Sequence, residues 1–125
     1  MEKIEYVRLY AGPDGESHFV DAEIELRLGA VAPPAPPVWL SAFLPAERVA
    51  FGGVSPDWYG DWHPAPRRQF LVYIAGEVEV EASDGEVRRL GPGSIALVED
   101  TTGKGHRSRV VGATEVINVI VQLPD

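Results

Sequence analysis

Two of the three histidines precede segments predicted to be strands, where polar side chains could be held inside a β-structure. His63 precedes the apolar segment 70–75, and His106 precedes the segment 107–111. Imidazole nitrogens ligate transition metals and exchange protons near neutral pH. Residues two apart share one face of a strand, so Gln69 and Tyr73 have the parity to line the same interior surface as His63. We expect His106 to reach that surface from another strand.

An arginine shares this parity as well. Arg67 and Arg68 are adjacent and therefore point to opposite faces of a strand. One of them could enter the pocket and pair with a carboxylate or phosphate of a substrate. We include Arg67 among the predicted ligand-binding residues. The alternative is that both arginines are surface or structural residues.

The spacing around His63 resembles the first motif of the cupin family. In that motif two histidines separated by one residue are followed by a glutamate, and then by a glycine after six more residues. His63 falls on the first histidine, Ala65 on the second, Gln69 on the glutamate and Gly76 on the glycine. Two of the usual ligand positions therefore hold other residue types.

The second cupin motif is also recognisable. The segment Gly93–Glu99 matches its start, and His106 follows after a short loop in the place of its histidine. Together the two motifs cover about residues 60–112. The resemblance implies an all-β fold, a double-stranded β-helix or jelly-roll barrel, with flanking strands around a pocket.

The same resemblance implies a degenerate metal site. Its ligands would be His63, Gln69 and His106, and the ion one divalent metal such as Fe, Mn, Ni or Zn. These ligands carry no negative charge, so binding would be weak unless a nearby acid supplies it; the candidates are Asp61, Glu99 and Asp100. Two alternatives remain open. The cluster could bind an organic ligand directly without metal, or it could be a satisfied polar cluster inside the barrel.

Function is less specified than fold, because one fold hosts many activities. The leading hypothesis is a small cupin that binds a small polar organic molecule in the barrel. A bound metal would permit isomerase-type or dioxygenase-type catalysis. The alternative is a non-catalytic binding or sensing protein without metal, and the changes at Ala65 and Gln69 favour it. Whether the protein is an enzyme is left open.

The elements that must position these residues are predicted to be short strands. No long segment keeps a helical apolar period, whereas alternation with period two recurs. Segment 21–28 alternates as a half-buried strand, and the prolines at 33–37 predict an extended connection. Glu77 to Glu81 alternates, residues 83–85 form a turn, and Glu86 to Leu90 returns, which predicts a hairpin.

Length and composition narrow the partners. The 125 residues suit one domain, residues 1–125, and a net charge of 11 − 19 = −8 opposes binding to nucleic acid. No apolar run reaches the roughly 18 residues of a membrane span, so we expect no membrane partner. The charged N-terminus lacks the pattern of an export signal, from which we expect a cytoplasmic location. The absence of cysteine excludes thiolate chemistry and disulfides.

Two further expectations concern assembly and the remaining histidine. Small jelly rolls leave edges and an apolar face uncovered, so we expect a homodimer. The N-terminal strand around Ile4–Tyr10 or the aromatic loop around Trp58 could supply the contact. Trp58 itself is interpreted as a structural residue rather than a ligand contact. His18 lies outside both motifs and is interpreted as an ordinary histidine at a strand end.

Overall fold

The structure, a computed structural model that describes residues 1–125, consists of strands and connecting loops without helix. The predicted all-β class is confirmed. In chain order the strands are β1 (Lys3–Ala11), β2 (Ser17–Glu25), β3 (Arg27–Gly29), β4 (Val38–Leu40), β5 (Arg48–Val54), β6 (Tyr59–His63), β7 (Gln69–Ala75), β8 (Glu77–Ala82), β9 (Val87–Leu90), β10 (Ile95–Glu99), β11 (His106–Val111) and β12 (Val116–Gln122).

The strands form two main sheets and one small one. The six-stranded sheet has the order β2-β1-β10-β7-β12-β5, and the four-stranded sheet has the order β6-β11-β8-β9. Strands β3 and β4 pair only with each other. All pairs are antiparallel except β1 with β10, which run parallel. Because β1 lies between β2 and β10, the N-terminal strand has no free edge to offer a partner.

The two main sheets pack face to face around one hydrophobic core. Both sheets contribute, with Leu9, Tyr73 and Val98 from the six-stranded sheet and Val80 and Val110 from the four-stranded one. Backbone ladders join strands within each sheet, and none joins the two sheets to each other. The observed architecture is therefore a two-layer β-sandwich, and the expected closed barrel is not seen.

The clearest local prediction was the hairpin between residues 77 and 90. It is present as β8 and β9, joined by the turn at residues 83–86. The alternating glutamates of β8 pair with arginines of β11, such as Glu81 with Arg107. This agreement follows from strict alternation next to a glycine turn, since both signals are local.

The segment 21–28 differs from its prediction. The strand that forms there, β2, begins earlier at Ser17, and its core residue is Phe19. Residues of the opposite parity, such as Ile24, lie on the outer face of the sheet, where they are only half-buried. Alternation predicted the strand correctly, but it did not identify which face meets the core.

A second region stands apart from the sandwich. We call residues 27–47 the arm. It includes β3, the proline-rich connection and β4, and none of its residues is buried. Strand β5 continues the chain from the arm and forms one edge of the six-stranded sheet.

None of the chain folds into an apolar helix of membrane-spanning length.

Candidate functional site

A cavity of about 350 Å³ opens between the two sheets. Most of its wall is apolar, and the polar side chains that line it are His63, Gln69, Tyr73, His106, Ser108 and Asn118. Four of the five residues predicted to bind a ligand are therefore brought together, and only Arg67 is absent. No aspartate, glutamate, lysine or arginine lines this cavity.

The two motif histidines meet because their strands pair. In the ladder between β6 and β11, His106 is the register partner of His63. Their ring centroids are 4.7 Å apart and the ring planes are inclined by 55°. The prediction that these imidazoles approach each other agrees with this geometry, but His63 is exposed to solvent whereas His106 is buried.

Gly105 makes the close approach possible. It has a φ of +73°, and a Cβ at this position would lie 2.0 Å from the backbone oxygen of His63. No other residue type fits both that conformation and that space. The glycine thus brings the start of β11 directly against the end of β6.

His106 is oriented by a buried carboxylate. Its Nδ1 donates a hydrogen bond of 2.6 Å to Oδ2 of Asp100, and Asp100 is fully buried. A carboxylate oxygen can only accept, so the proton of the neutral imidazole lies on Nδ1 and Nε2 is left with its lone pair. The other oxygen of Asp100 has no hydrogen-bond partner.

His63 has the same tautomer for a different reason. Its Nδ1 donates to the backbone carbonyl of Asp61 at 2.6 Å. A carbonyl also only accepts, which again leaves Nε2 of the neutral ring unprotonated. The site therefore holds two adjacent imidazoles, each with an Nε2 that can accept a hydrogen bond, take up a proton or ligate a metal ion.

The remaining predicted residues of the cavity supply hydrogen-bond donors. Gln69 is buried, and its Oε1 accepts a bond of 3.1 Å from Nε2 of Gln122. The amide NH₂ group of Gln69 is then free to donate hydrogen bonds to a ligand. The hydroxyl of Tyr73 has no partner within the chain, and burial raises the pKa of this phenol to about 12. Tyr73 therefore stays a neutral donor throughout the physiological range.

Arg67 does not belong to the site. It lies in the bend between β6 and β7, and its guanidinium pairs with Glu47. The parity argument fails here because residues 64–68 are not a strand, so alternation cannot be counted through them. Its neighbour Arg68 pairs with Glu99 at 2.6 Å.

The three acids considered as sources of negative charge have separate roles. Glu99 accepts hydrogen bonds from Arg8 and Arg68. The Asp61 carboxylate accepts from Tyr59 and from the backbone N–H of Trp62. Asp100 alone contacts an imidazole of the site with its carboxylate, through Nδ1 of His106.

Sequence reasoning missed two polar residues of the cavity, Ser108 and Asn118. Asn118 lies on β12, and its Oδ1 is buried without a partner. A signal was available, since Asn118 and Gln122 are the polar residues of an otherwise apolar strand and share one face. Trp58 also lines the cavity, in addition to the structural role first assigned to it.

The donors match a metal site only in part. His63 and His106 offer suitable nitrogens, but Gln69 already uses its oxygen toward Gln122. No group of three or more histidine, cysteine, aspartate or glutamate side chains is positioned to hold a metal ion. The imidazole pair therefore offers free ligand atoms, whereas Gln69 would have to give up its bond to Gln122 to contribute its oxygen.

A scan against protein-family models finds no match, and a search of the curated proteins finds none either. Among solved structures, the chain is similar to the crystal structure of protein NMB1881 from Neisseria meningitidis. The two chains are 22% identical, with a TM-score of 0.47, and the match covers 61% of this chain and 72% of that one.

Proposed function

We propose that the cavity binds a small organic molecule that has an apolar body and one polar end. The observation that carries this proposal is the adjacent pair of imidazoles, both with a free Nε2, in the wall of a mostly apolar cavity. Apolar walls favour ligand carbon, while a few converging polar groups fix its orientation. The polar organic molecule expected from the sequence is thereby restricted to molecules that also have an apolar body.

The chemistry of each polar group defines what that end must offer. The Nε2 atoms of His63 and His106 accept hydrogen bonds from a hydroxyl or an N–H. The Tyr73 hydroxyl and the free Gln69 NH₂ donate to an oxygen. A ligand with neighbouring hydroxyl and carbonyl groups would satisfy both kinds of partner. Unprotonated Nε2 atoms would also let the same site withdraw a proton from a bound ligand.

We further propose that the chain is a cupin with a modified jelly roll. The order of the two sequence motifs supports this, as does the pairing of the motif histidines on adjacent strands. The two facing sheets are the layers from which a jelly roll is built. Ala65 lines the cavity at the place of the family's second histidine.

The binding proposal is tested with a panel of phenols, alkyl alcohols and carboxylic acids, screened by chemical-shift changes of cavity residues. We expect some of these compounds to bind. We expect His106→Phe to weaken their binding at least about tenfold, because the variant lacks the Nε2 acceptor and leaves the ligand's donor group without a partner. His18→Phe, a histidine change outside the cavity, is the matched control. The proposal fails if no compound perturbs the cavity, or if His106→Phe binds as tightly as wild type.

A second candidate function, weak binding of a divalent metal, is favoured by the tautomers of the two histidines. The ligands would be His63 and His106, and a bound ion would act as a Lewis acid toward a ligand oxygen. We expect weak Zn²⁺ or Ni²⁺ binding by titration calorimetry and at least tenfold tighter binding in the double variant Ala65→His/Gln69→Glu. Unchanged affinity in the double variant would contradict this candidate.

A further inference from the structure

A second cavity of about 400 Å³ adjoins the first and shares Pro66, Gln69 and Ile120 with it. Its additional lining includes Arg48 and Gln122. Unlike the inner cavity, this outer chamber therefore contains a cationic side chain. Arg48 is exposed, so the guanidinium lies where a ligand in the inner cavity would reach solvent.

Arg48 is unusual in its charge environment. The chain has 11 lysines and arginines, and ten of them have a carboxylate oxygen within 4.0 Å. Arg48 is the exception, although 19 acidic residues are present. Its neighbour in the arm, Glu47, pairs with Arg67 instead. The one cation without an anionic partner thus faces the chamber.

Arg48 is held in place by a chain of amides. Its Nε donates to Oε1 of Gln122 at 2.8 Å, and Nε2 of Gln122 donates to Oε1 of Gln69 at 3.1 Å. These bonds leave the terminal nitrogens of Arg48 and the NH₂ group of Gln69 as free donors. A planar carboxylate is the group that an arginine fork binds best.

We propose that the ligand is a carboxylic acid with an apolar body, whose carboxylate is bound by Arg48 in the outer chamber. The apolar body occupies the inner cavity, which no aspartate, glutamate, lysine or arginine lines, and the hydroxyl group that the imidazole pair binds is carried on that body. This inference rests on the proposed function and adds the ligand class.

The test compares 3-phenylpropionate with its uncharged amide, 3-phenylpropanamide, by calorimetry or NMR titration. Wild type is expected to bind the acid at least about tenfold more tightly, because a charge-assisted hydrogen bond is replaced by a neutral one. In Arg48→Gln the preference for the acid should disappear while affinity for the amide is retained. Arg67→Gln, which removes a paired arginine nearby, should leave the preference unchanged.

The outcomes separate the two proposals. If the amide binds as tightly as the acid, or if Arg48→Gln keeps the preference, the carboxylate assignment is overturned and binding in the cavity stands. If neither compound binds, the carboxylate assignment is overturned, and the panel of phenols, alcohols and acids decides separately whether the cavity binds a ligand. The preference should also decrease as salt is raised, since it depends on charge.

A second and independent observation concerns the outer face of the six-stranded sheet. Leu71, Tyr73 and Ile120 point into the cavity, so their neighbours along β7 and β12 point outward. One outward row runs across four strands, with the register partners Phe51, Val119, Val72 and Ile95. Phe51 is 80% exposed. This sheet is thus apolar on both faces, and its outer face is covered only in part, since Leu97 is buried there while Val72, Ile95 and Val119 are half-buried.

The arm also exposes apolar side chains to solvent. Its apolar side chains include Trp39, Phe43 and Leu44, and Phe43 is 83% exposed. Strands β3 and β4 belong to neither main sheet, although Trp39 lines a surface cavity together with Lys3 and Glu23. Exposed apolar surface of this extent marks an interaction surface.

We infer that a second copy of the chain covers this surface, with each arm lying against the outer sheet face of the other subunit. Four strands at about 4.8 Å spacing and five residues at about 3.3 Å give a sheet face of roughly 320 Å². A stable interface needs about 800 Å² from each partner. The sheet face alone is too small, so the arm must supply the rest. A two-fold axis lets both subunits make this exchange at once.

The test is the molar mass in solution by light scattering coupled to gel filtration. We expect twice the chain mass for wild type at 100 μM and the single chain mass for the double variant Phe43→Asp/Phe51→Asp. Val87→Asp, an exposed apolar residue on the other sheet, should remain a dimer. A wild-type monomer at this concentration, or a dimeric double variant, would overturn the inference.

Discussion

The protein contains two histidine–aspartate pairs of similar geometry in very different surroundings. His106 bonds to Asp100 at 2.6 Å inside the sandwich, where the carboxylate is fully buried. His18 bonds to Asp84 at 2.9 Å at the surface, where both side chains are 28% exposed. The surface ring also contacts Asp14 through its second nitrogen, at 3.3 Å.

The difference shows what a histidine–aspartate pair needs before it can act on a ligand. At His18 each ring nitrogen lies against a carboxylate, so no ring nitrogen is free for a ligand. The ring instead links the turns that contain Asp14 and Asp84. At His106 one nitrogen is fixed by Asp100, and the other is free at the cavity. Burial and a single partner, rather than the pair itself, create the candidate site.

The largest difference in unfolding free energy is expected between substitutions of the glycines that precede the two histidines. Gly105 and Gly15 both have positive φ, but a Cβ at Gly105 would overlap the His63 backbone, whereas one at Gly15 would meet nothing within 4 Å. We expect Gly105→Ala to lower the free energy of unfolding by at least about 4 kcal/mol, and Gly15→Ala by about 1 kcal/mol, the cost of the left-handed conformation alone. Urea denaturation of both variants measures this, and equal losses would contradict the close contact.

The next contrast concerns the two aspartates. Asp100→Ala removes a buried carboxylate and leaves the Nδ1–H of His106 without an acceptor, so we expect a loss of about 3 kcal/mol in unfolding free energy. Asp84→Ala acts on an exposed pair and should cost at most about 1 kcal/mol. Chemical denaturation at pH 7 compares them. The distinction between the pairs fails if Asp84→Ala is the more damaging change.

The smallest expected effect is the pH dependence of the surface pair. Hydrogen bonds to Asp84 and then Asp14 raise the pKa of His18. Its protonated form is therefore favoured by folding. This contribution is complete below the unfolded value of about 6.5 and is lost as the pH rises through the higher folded value.

The pKa values of Asp14 and Asp84 set the lower pH limit of the range in which this pair stabilises the fold. The backbone N–H of Glu16 lowers the pKa of Asp14, and that of Glu86 lowers the pKa of Asp84. Their stabilising contributions are present above about pH 4 and are lost as the pH falls through their lowered folded values. The stability difference between wild type and His18→Gln should thus be larger at pH 5.5 than at pH 8.5. An NMR titration of His18 with a midpoint at or below 6.5 would contradict the pair.

Local sequence signals predicted part of this molecule well. The hairpin of β8 and β9 and the meeting of His63 with His106 follow from alternation, a glycine turn and motif spacing. The faces of the six-stranded sheet are less clearly marked. Segments 70–75 and 116–121 are apolar at most positions of both faces, so only Gln69, Tyr73 and Asn118 indicate the side that lines the cavity.

The missed site residues depended on long-range register. Arg48 joins the outer chamber only because β5 pairs with β12, and no local pattern predicts that pairing. Asn118 is marked by its polarity in an apolar strand, but its place beside Tyr73 depends on the pairing of β12 with β7. Arg67 was misplaced for the complementary reason, since the chain bends between β6 and β7. For the arm, the sequence predicts only an ordinary strand and connection. Whether another layer covers it depends on the folded molecule, and no local pattern shows this.

The order of the six-stranded sheet also constrains how the chain can fold. Its last strand in sequence, β12, lies between β7 and β5, and β1 finds its parallel partner only at β10. A ribosome adds residues over seconds, so the early strands β1 and β5 emerge long before the partners that complete their ladders. Such distant pairings make folding slow relative to proteins with local contacts. The cavity therefore lacks the part of its wall that β12 and β5 supply until residue 122 has been synthesised.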